Sequence, residues 1–276
     1  MNSKLKPLTA AVGLALINPN VSLAEEELQI QWPTSVTLSG LVQMEARYRD
    51  DNTTKTKTSD FVLDELGLNI EAQVHKWANA KIAFIYEEGA TDLEVDEAII
   101  TLGNSKVSPV SLALGQLYVP FGNFETYMVS DPLTLELAET REKAAQLLVE
   151  TGGFYGSVYL FNGTTQDDED DMIDHYGGNL GFAQETDSFS YDVGIGYIND
   201  MGDTGSIGDM LEPKLSPKWV NYDYVDGFSG HLIFKIGPVS LTGEYVTALD
   251  QFDASQFAFN GNGAEPKAWN LEAGYT

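Results

Sequence analysis

From Ser35 onward the chain alternates apolar and polar side chains with a period of two, and no other feature restricts its fold so strongly. In the first segment Val36, Leu38, Val42, Met44, Ala46 and Tyr48 lie on one face, with Gly40 among them, and Thr37, Ser39, Gln43, Glu45 and Arg47 on the other. Only an extended strand separates them this way. Leu66, Leu68, Ile70, Ala72 and Val74 oppose Glu65, Gly67, Asn69, Glu71 and Gln73 in the same manner, and comparable segments recur as far as Trp269 to Tyr275. About twelve strands result. The 26 glycines, 13 Tyr and 13 Phe suit an aromatic, glycine-rich, all-β protein.

The connections predict how the strands are arranged. Short turns are expected at 75–79, 104–108, 151–153, 185–188 and 237–238. Longer polar stretches are expected at 49–60, 87–92, 119–143, 162–176, 199–224 and 250–265. In an up-and-down barrel every second connection lies on the same rim, so this asymmetry predicts one rim of tight turns and one of elaborated loops. Outer-membrane barrels are built that way. A sandwich has fewer strands and no such rule, and a β-helix has a fixed repeat that is absent here. Tyr48, Tyr86, Tyr197, Tyr245 and Tyr275 fall at or near the ends of apolar stripes, where an interfacial girdle belongs.

Residues 1–24 read as a secretory signal peptide: Lys4 and Lys6, an apolar stretch from Leu8 to Ile17, and Ser22 to Ala24 as the cleavage signal. Residues 25–34 form a short periplasmic segment and 35–276 the barrel. Beyond Ala24 no apolar run approaches the roughly eighteen residues of a helical span. Lys+Arg 15 against Asp+Glu 42 gives a net charge of -27, which excludes nucleic acid as a partner. Cysteine is absent, so there is no disulfide framework and no thiolate site.

Four stretches go beyond pattern: 61–71 (FVLDELGLNIE), 93–100 (LEVDEAII), 115–122 (GQLYVPFG) and 161–163 (FNG). They resemble matching stretches of the LbtU-type siderophore porins, a family distantly similar to the phosphate-selective porins. The resemblance implies an outer-membrane barrel of about sixteen strands that takes up iron-siderophore complexes without an energy-coupling protein. On that comparison the chain is a truncated part of a larger barrel, since it stops within the alternation that reaches Tyr275. Asp64 and Glu65 stand where the phosphate-selective branch is arginine-rich, so phosphate selectivity is not expected. Too few residues separate Ala24 from Ser35 to build a plug, which independently points to passive transport. The alternatives are a general cation-preferring diffusion porin, an outer-membrane hydrolase and an adhesive surface barrel.

The stretch 119–143 is the leading constriction segment. It combines Phe121, Phe124, Tyr127 and Met128 with Glu125, Asp131, Glu136, Glu139 and Arg141, broken by Pro120, Gly122 and Pro132. The residues leave open whether it folds into the lumen or packs on the rim. From the strands, Glu45, Arg47, Glu65, Glu71 and Glu97 are expected to line the pore. Across the lumenal faces Glu45, Glu65, Glu71, Glu87, Glu97, Asp192, Glu244 and Glu272 outnumber Arg47, Lys81 and Lys235, which predicts attraction of cations. Asp167, Asp168, Asp170 and Asp171 are weak candidates for divalent ions, lacking the ligand spacing of an EF-hand. Ser229 and His231 share a strand face without a third orienting group, so no enzyme is expected. His75 and His175 have no metal-ligand spacing to another histidine, and no cofactor is expected. The partners called for are the lipid bilayer and lipopolysaccharide, a small-molecule solute (a ferric siderophore by the resemblance) and, as an undecided option, further copies of the chain.

Overall fold

The computed structural model describes residues 35–51, 55–89, 91–104, 107–128, 131–165, 172–211 and 222–275. The expected signal peptide, the 25–34 segment and the acidic run holding Asp167, Asp168, Asp170 and Asp171 lie outside the described residues. One 12-stranded sheet runs through the molecule with every neighbouring pair antiparallel and consecutive. Its strands are β1 (Ser35–Asp51), β2 (Thr56–His75), β3 (Ala78–Glu87), β4 (Thr91–Gly103), β5 (Val110–Tyr118), β6 (Arg141–Thr151), β7 (Phe154–Phe161), β8 (His175–Glu185), β9 (Phe189–Ile198), β10 (Gly227–Ile236) and β11 (Val239–Ala248). A two-stranded hairpin, β12 (Ala258–Phe259) with β13 (Asn262–Gly263), precedes the last strand, β14 (Lys267–Tyr275), which pairs with β11.

The alternation sorts the two faces as the sequence predicts. Leu38, Val42, Leu180, Leu232 and Leu271 stand on the outer face and are strongly exposed; Leu271 reaches 72%. An outer face this apolar, carried by every strand, is a surface made for hydrocarbon. At the tight-turn rim Phe154 meets Phe182 at 4.6 Å between ring centroids, Phe182 meets Tyr191 at 5.8 Å, and Tyr191 stacks on Phe189 at 6.1 Å. That outward aromatic cluster lies where a headgroup girdle would sit.

The hydrophobic core is not under the sheet but inside its concavity. Leu117, Phe121, Ala138, Phe161, Ile198, Met201, Ile207, Leu211 and Val246 are buried together, joining the inner faces of β5 to β11 to two short helices, α1 (Leu133–Ala138) and α2 (Gly205–Leu211). Each fully buried side chain of this size contributes roughly 1.5–3 kcal/mol. Among the described residues strands β1 to β4 supply no fully buried member of this cluster, only Ile99 of β4 packing against it, so the inner space is filled on one side and open on the other.

Two expected loops are strand or turn instead. The polar stretch 49–60 continues the ladder, with Arg49 opposite Thr58 and Asp51 opposite Thr56, so that β1 has 17 residues and β2 has 20. About 9–11 residues span a bilayer, so this hairpin extends beyond it, and a strand in water on both faces carries polar residues on both. Thr58 and the Lys57–Asp50 ion pair at 2.8 Å suit that setting. The stretch 87–92 is a tight turn, with Glu87 opposite Thr91. The long connections that follow β5, β7, β9 and β11 leave the sheet from the same rim, because consecutive strands run antiparallel.

Candidate functional site

The site begins with two β-bulges. On β2 the register shifts between Gln43 and Met44 of β1, leaving Asp64 as the extra residue; on β4 Asp96 is the extra residue opposite Ala83 and Phe84. A bulge turns two consecutive residues to one face. Asp64 and Glu65, and likewise Asp96 and Glu97, therefore both point inward, doubling the acid that strict alternation would present. Asp64 accepts from Gln43 Nε2 at 2.8 Å and pairs with Arg47, whose Nε also bonds Glu45 at 2.7 Å. Glu97 pairs with Lys81, which stands opposite Glu71 in the ladder. Asp96 and Glu94 hold Arg141 at 3.1 and 2.8 Å.

The connection from β5 to β6 crosses the concave face. It leaves β5 after Tyr118; within the strand Gly115 has a φ of 140°, in the left-handed half of the backbone map, and an added Cβ there would stand 1.9 Å from the Ala98 carbonyl oxygen. Phe121 is fully buried and its carbonyl accepts the Ser229 hydroxyl from β10. Gly196 of β9 makes this approach possible, since a Cβ there would lie 2.4 Å from the same carbonyl oxygen. Further along, Glu244 of β11 accepts from Asn123 N at 2.7 Å, from Phe124 N at 3.3 Å and from Thr134 Oγ1 at 2.8 Å. Phe124 itself takes a positive φ of 58°, uncommon for a residue other than glycine. Glu272 of β14 accepts from Thr126 Oγ1 at 2.6 Å and Tyr127 N at 3.0 Å. Glu125 pairs with Lys235 at 2.9 Å, and that ammonium lies 5.4 Å from the centre of the Tyr127 ring. Charge-assisted bonds from three strands, β10, β11 and β14, thus tie down the segment from Asn123 to Thr134.

The open space left between this connection and β1 to β4 is acidic. A cavity of about 800 Å³ has Glu65, Glu87, Glu94, Asp96, Asp131, Glu139, Glu142, Asp203 and Asp209 on its walls, with Arg141 as the one cation among its described residues. A second cavity of about 810 Å³ shares Glu65, Glu87 and Asp131 with it and adds Glu45, Arg47, Asp64, Glu88, Tyr127 and Glu136. The crowding has a titration consequence. Burial, then the charges of Asp96 and Asp131, push the Glu139 carboxyl up to about 7.

Of the residues singled out from the sequence, Glu45, Arg47, Glu65, Tyr127, Asp131, Glu136, Glu139 and Arg141 line these two cavities. Glu125 and Lys235 line a separate, smaller one. Phe121 is buried in the core rather than presented to the open space, and Phe124 packs against that core. Glu71 and Glu97 sit closer to the tight-turn rim beside Lys81, which partly offsets them. Lys143, two residues beyond Arg141, is exposed and lines neither large cavity, because Glu142 takes the inward position. Ser229 and His231 do not act on each other: the hydroxyl is committed to Phe121, and His231 Nε2 faces Tyr155 Oη at 3.2 Å and Asp192 at 3.3 Å. Sequence reasoning missed Thr134 and Gly196, whose partners lie across the lumen, and gave no anchoring role to Glu244 and Glu272.

No family model matches the sequence. A UPF0422 protein of Coxiella burnetii is 27% identical over 220 residues, covering 74% of this chain and 45% of that protein. A UPF0422 protein of Legionella pneumophila is 26% identical over 269 residues, covering 87% of this chain and 49% of that protein. The chain spans about half the length of the curated relatives it matches. Among solved structures, an anion-selective porin from Comamonas acidovorans aligns with a TM-score of 0.54 at 13% identity, covering 87% of this chain and 73% of that one. The fold is that of an outer-membrane porin.

Proposed function

We propose that this protein is a passive diffusion channel of the outer membrane whose lumen favours cations. The observation that carries the reading is the open inner space between the anchored β5–β6 connection and strands β1 to β4, walled by nine carboxylates and one arginine. A narrow space with one sign of charge and low-dielectric walls concentrates the opposite ion. Among the described residues Arg47, Lys81, Arg141 and Lys235 are each paired with at least one carboxylate, and the walls of the two large cavities carry a negative surplus. The solved porin of similar fold is named anion-selective, and the charge of this lumen is the reverse of what such a selectivity needs.

The finer reading, passage of ferric siderophores through a barrel of about sixteen strands, rests on the resemblance to the LbtU-type porins. The lumen adds a condition to it. Anionic complexes are repelled by these walls, so the complexes admitted are neutral or cationic, selected by size and by contact with Tyr127. Planar-bilayer recording of the purified protein, followed by uptake of neutral and anionic ferric complexes into proteoliposomes, tests both levels. Channels that pass small ions but no ferric complex would leave the general cation-preferring porin; absence of channels from correctly folded protein would remove the reading.

A further inference from the structure

We infer that His175, Asp200, Asp203 and the Thr165 hydroxyl form a buried binding site for a divalent transition-metal ion, with zinc the best match. His175 opens β8, Thr165 lies in the connection before it, and Asp200 and Asp203 flank the short turn after β9. His175, Asp200 and Thr165 are 0% exposed, and the Asp203 side chain is 1% exposed. Their polar ends converge. His175 Nε2 is 2.8 Å from Asp203 Oδ2, 3.6 Å from Asp200 Oδ2 and 3.0 Å from Thr165 Oγ1, which is itself 2.5 Å from Asp200 Oδ2 and 3.0 Å from Asp203 Oδ2. Donors held about 2.1 Å from a tetrahedral ion stand roughly 3.4 Å apart, so a small movement outward fits one ion between them.

The groups behind the cluster point the same way. Asp200 Oδ1 already accepts from Gly202 N at 2.9 Å, Val225 N at 3.1 Å and Tyr222 Oη at 2.9 Å, which leaves its other oxygen to face inward. Asp203 Oδ1 likewise accepts from Thr164 N at 2.8 Å and Thr165 N at 3.1 Å. His175 Nδ1 lies 3.0 Å from the Asp174 carboxylate. Outer hydrogen bonds that fix each carboxylate, and a carboxylate behind the imidazole, are what orient metal ligands. One imidazole and two carboxylates match zinc, and a divalent charge cancels the two buried carboxylates.

The ion would be a rivet of the loop rim. It would join the connection 162–174 to 199–226, and the latter reaches the lumenal segment through Gly205 N to Glu139 O at 2.7 Å and Thr204 Oγ1 to Leu137 O at 2.8 Å. The site therefore braces the wall of the acidic cavity, which Asp203 itself helps to line.

The test is metal content and chelator response of the detergent-purified full chain. Wild type dialysed after exposure to zinc should retain about one ion per chain, and EDTA should lower its unfolding temperature. The Co(II)-loaded form should give a tetrahedral visible spectrum. Tyr222→Phe, which removes one outer hydrogen bond, should weaken zinc binding about tenfold, and His175→Gln should abolish it. Wild type that retains neither zinc nor manganese, and whose unfolding neither chelator nor added metal moves, would overturn the inference and leave an imidazolium held between carboxylates. Zinc retained equally by wild type, Tyr222→Phe and His175→Gln would also overturn it, placing the ion elsewhere. The wild-type measurement decides even if His175→Gln fails to fold.

Discussion

Glu244 shows how one side chain can set the width of a channel. Its carboxylate collects two backbone N–H groups and a hydroxyl from a segment about 110 to 120 residues away in sequence. Glu244→Ala leaves those donors without their acceptor and should cost the anchoring of the segment about 2–4 kcal/mol. Single-channel recording should then show higher and noisier conductance; wild-type conductance would mean that the segment is held by other contacts. Glu139 gives a pH signature. With its carboxyl pushed up to about 7, it is neutral in mild acid and charged above neutrality. Cation preference should rise between about pH 6 and pH 8, and Glu139→Gln should flatten that rise. The same shift makes the folded state hold a proton that the unfolded chain has already released. Its contribution to stability is therefore lost as pH rises from the ordinary glutamate range through about 7. None of this is visible in the sequence, because Glu244 and Glu139 differ from other lumenal acids only in partners brought by the fold.

At the scale of elements, the strands were legible and their irregularities were not. Period-two alternation is local, so segments such as Val36 to Tyr48 declare their two faces without reference to any neighbour. A bulge depends on the partner strand, and nothing in LDEL or VDEA alone says that Asp64 and Asp96 are extra residues. The stretch 49–60 was misread because polar composition normally marks a loop, whereas a hairpin wetted on both faces is polar by necessity. His175, Asp200 and Asp203 belong to separate connections and share no short motif. The absence of cysteine makes the assignment of faces directly testable. In Glu87→Cys a charged, membrane-impermeant thiol reagent should change the current, and in Leu68→Cys on the neighbouring strand it should not. Equal modification at both positions would contradict the inner and outer faces described for β2 and β3.

For the whole molecule, one side of the concavity is packed and the other is open and acidic. The packed side, built on Phe121, Phe161, Ile198 and Met201, holds the β5–β6 connection in place. The open side, between that connection and β1 to β4, collects the carboxylates that the two bulges turn inward. Selectivity is then a property of the summed field and not of any one residue, and it should strengthen as salt is lowered and screening weakens. The most direct measurement is the reversal potential of the purified protein in a planar bilayer under a KCl gradient, repeated at decreasing ionic strength. The acidic lumen predicts a reversal potential of the sign set by potassium, growing as salt falls; a potential of the sign set by chloride, or one that stays at zero at low salt, would contradict it.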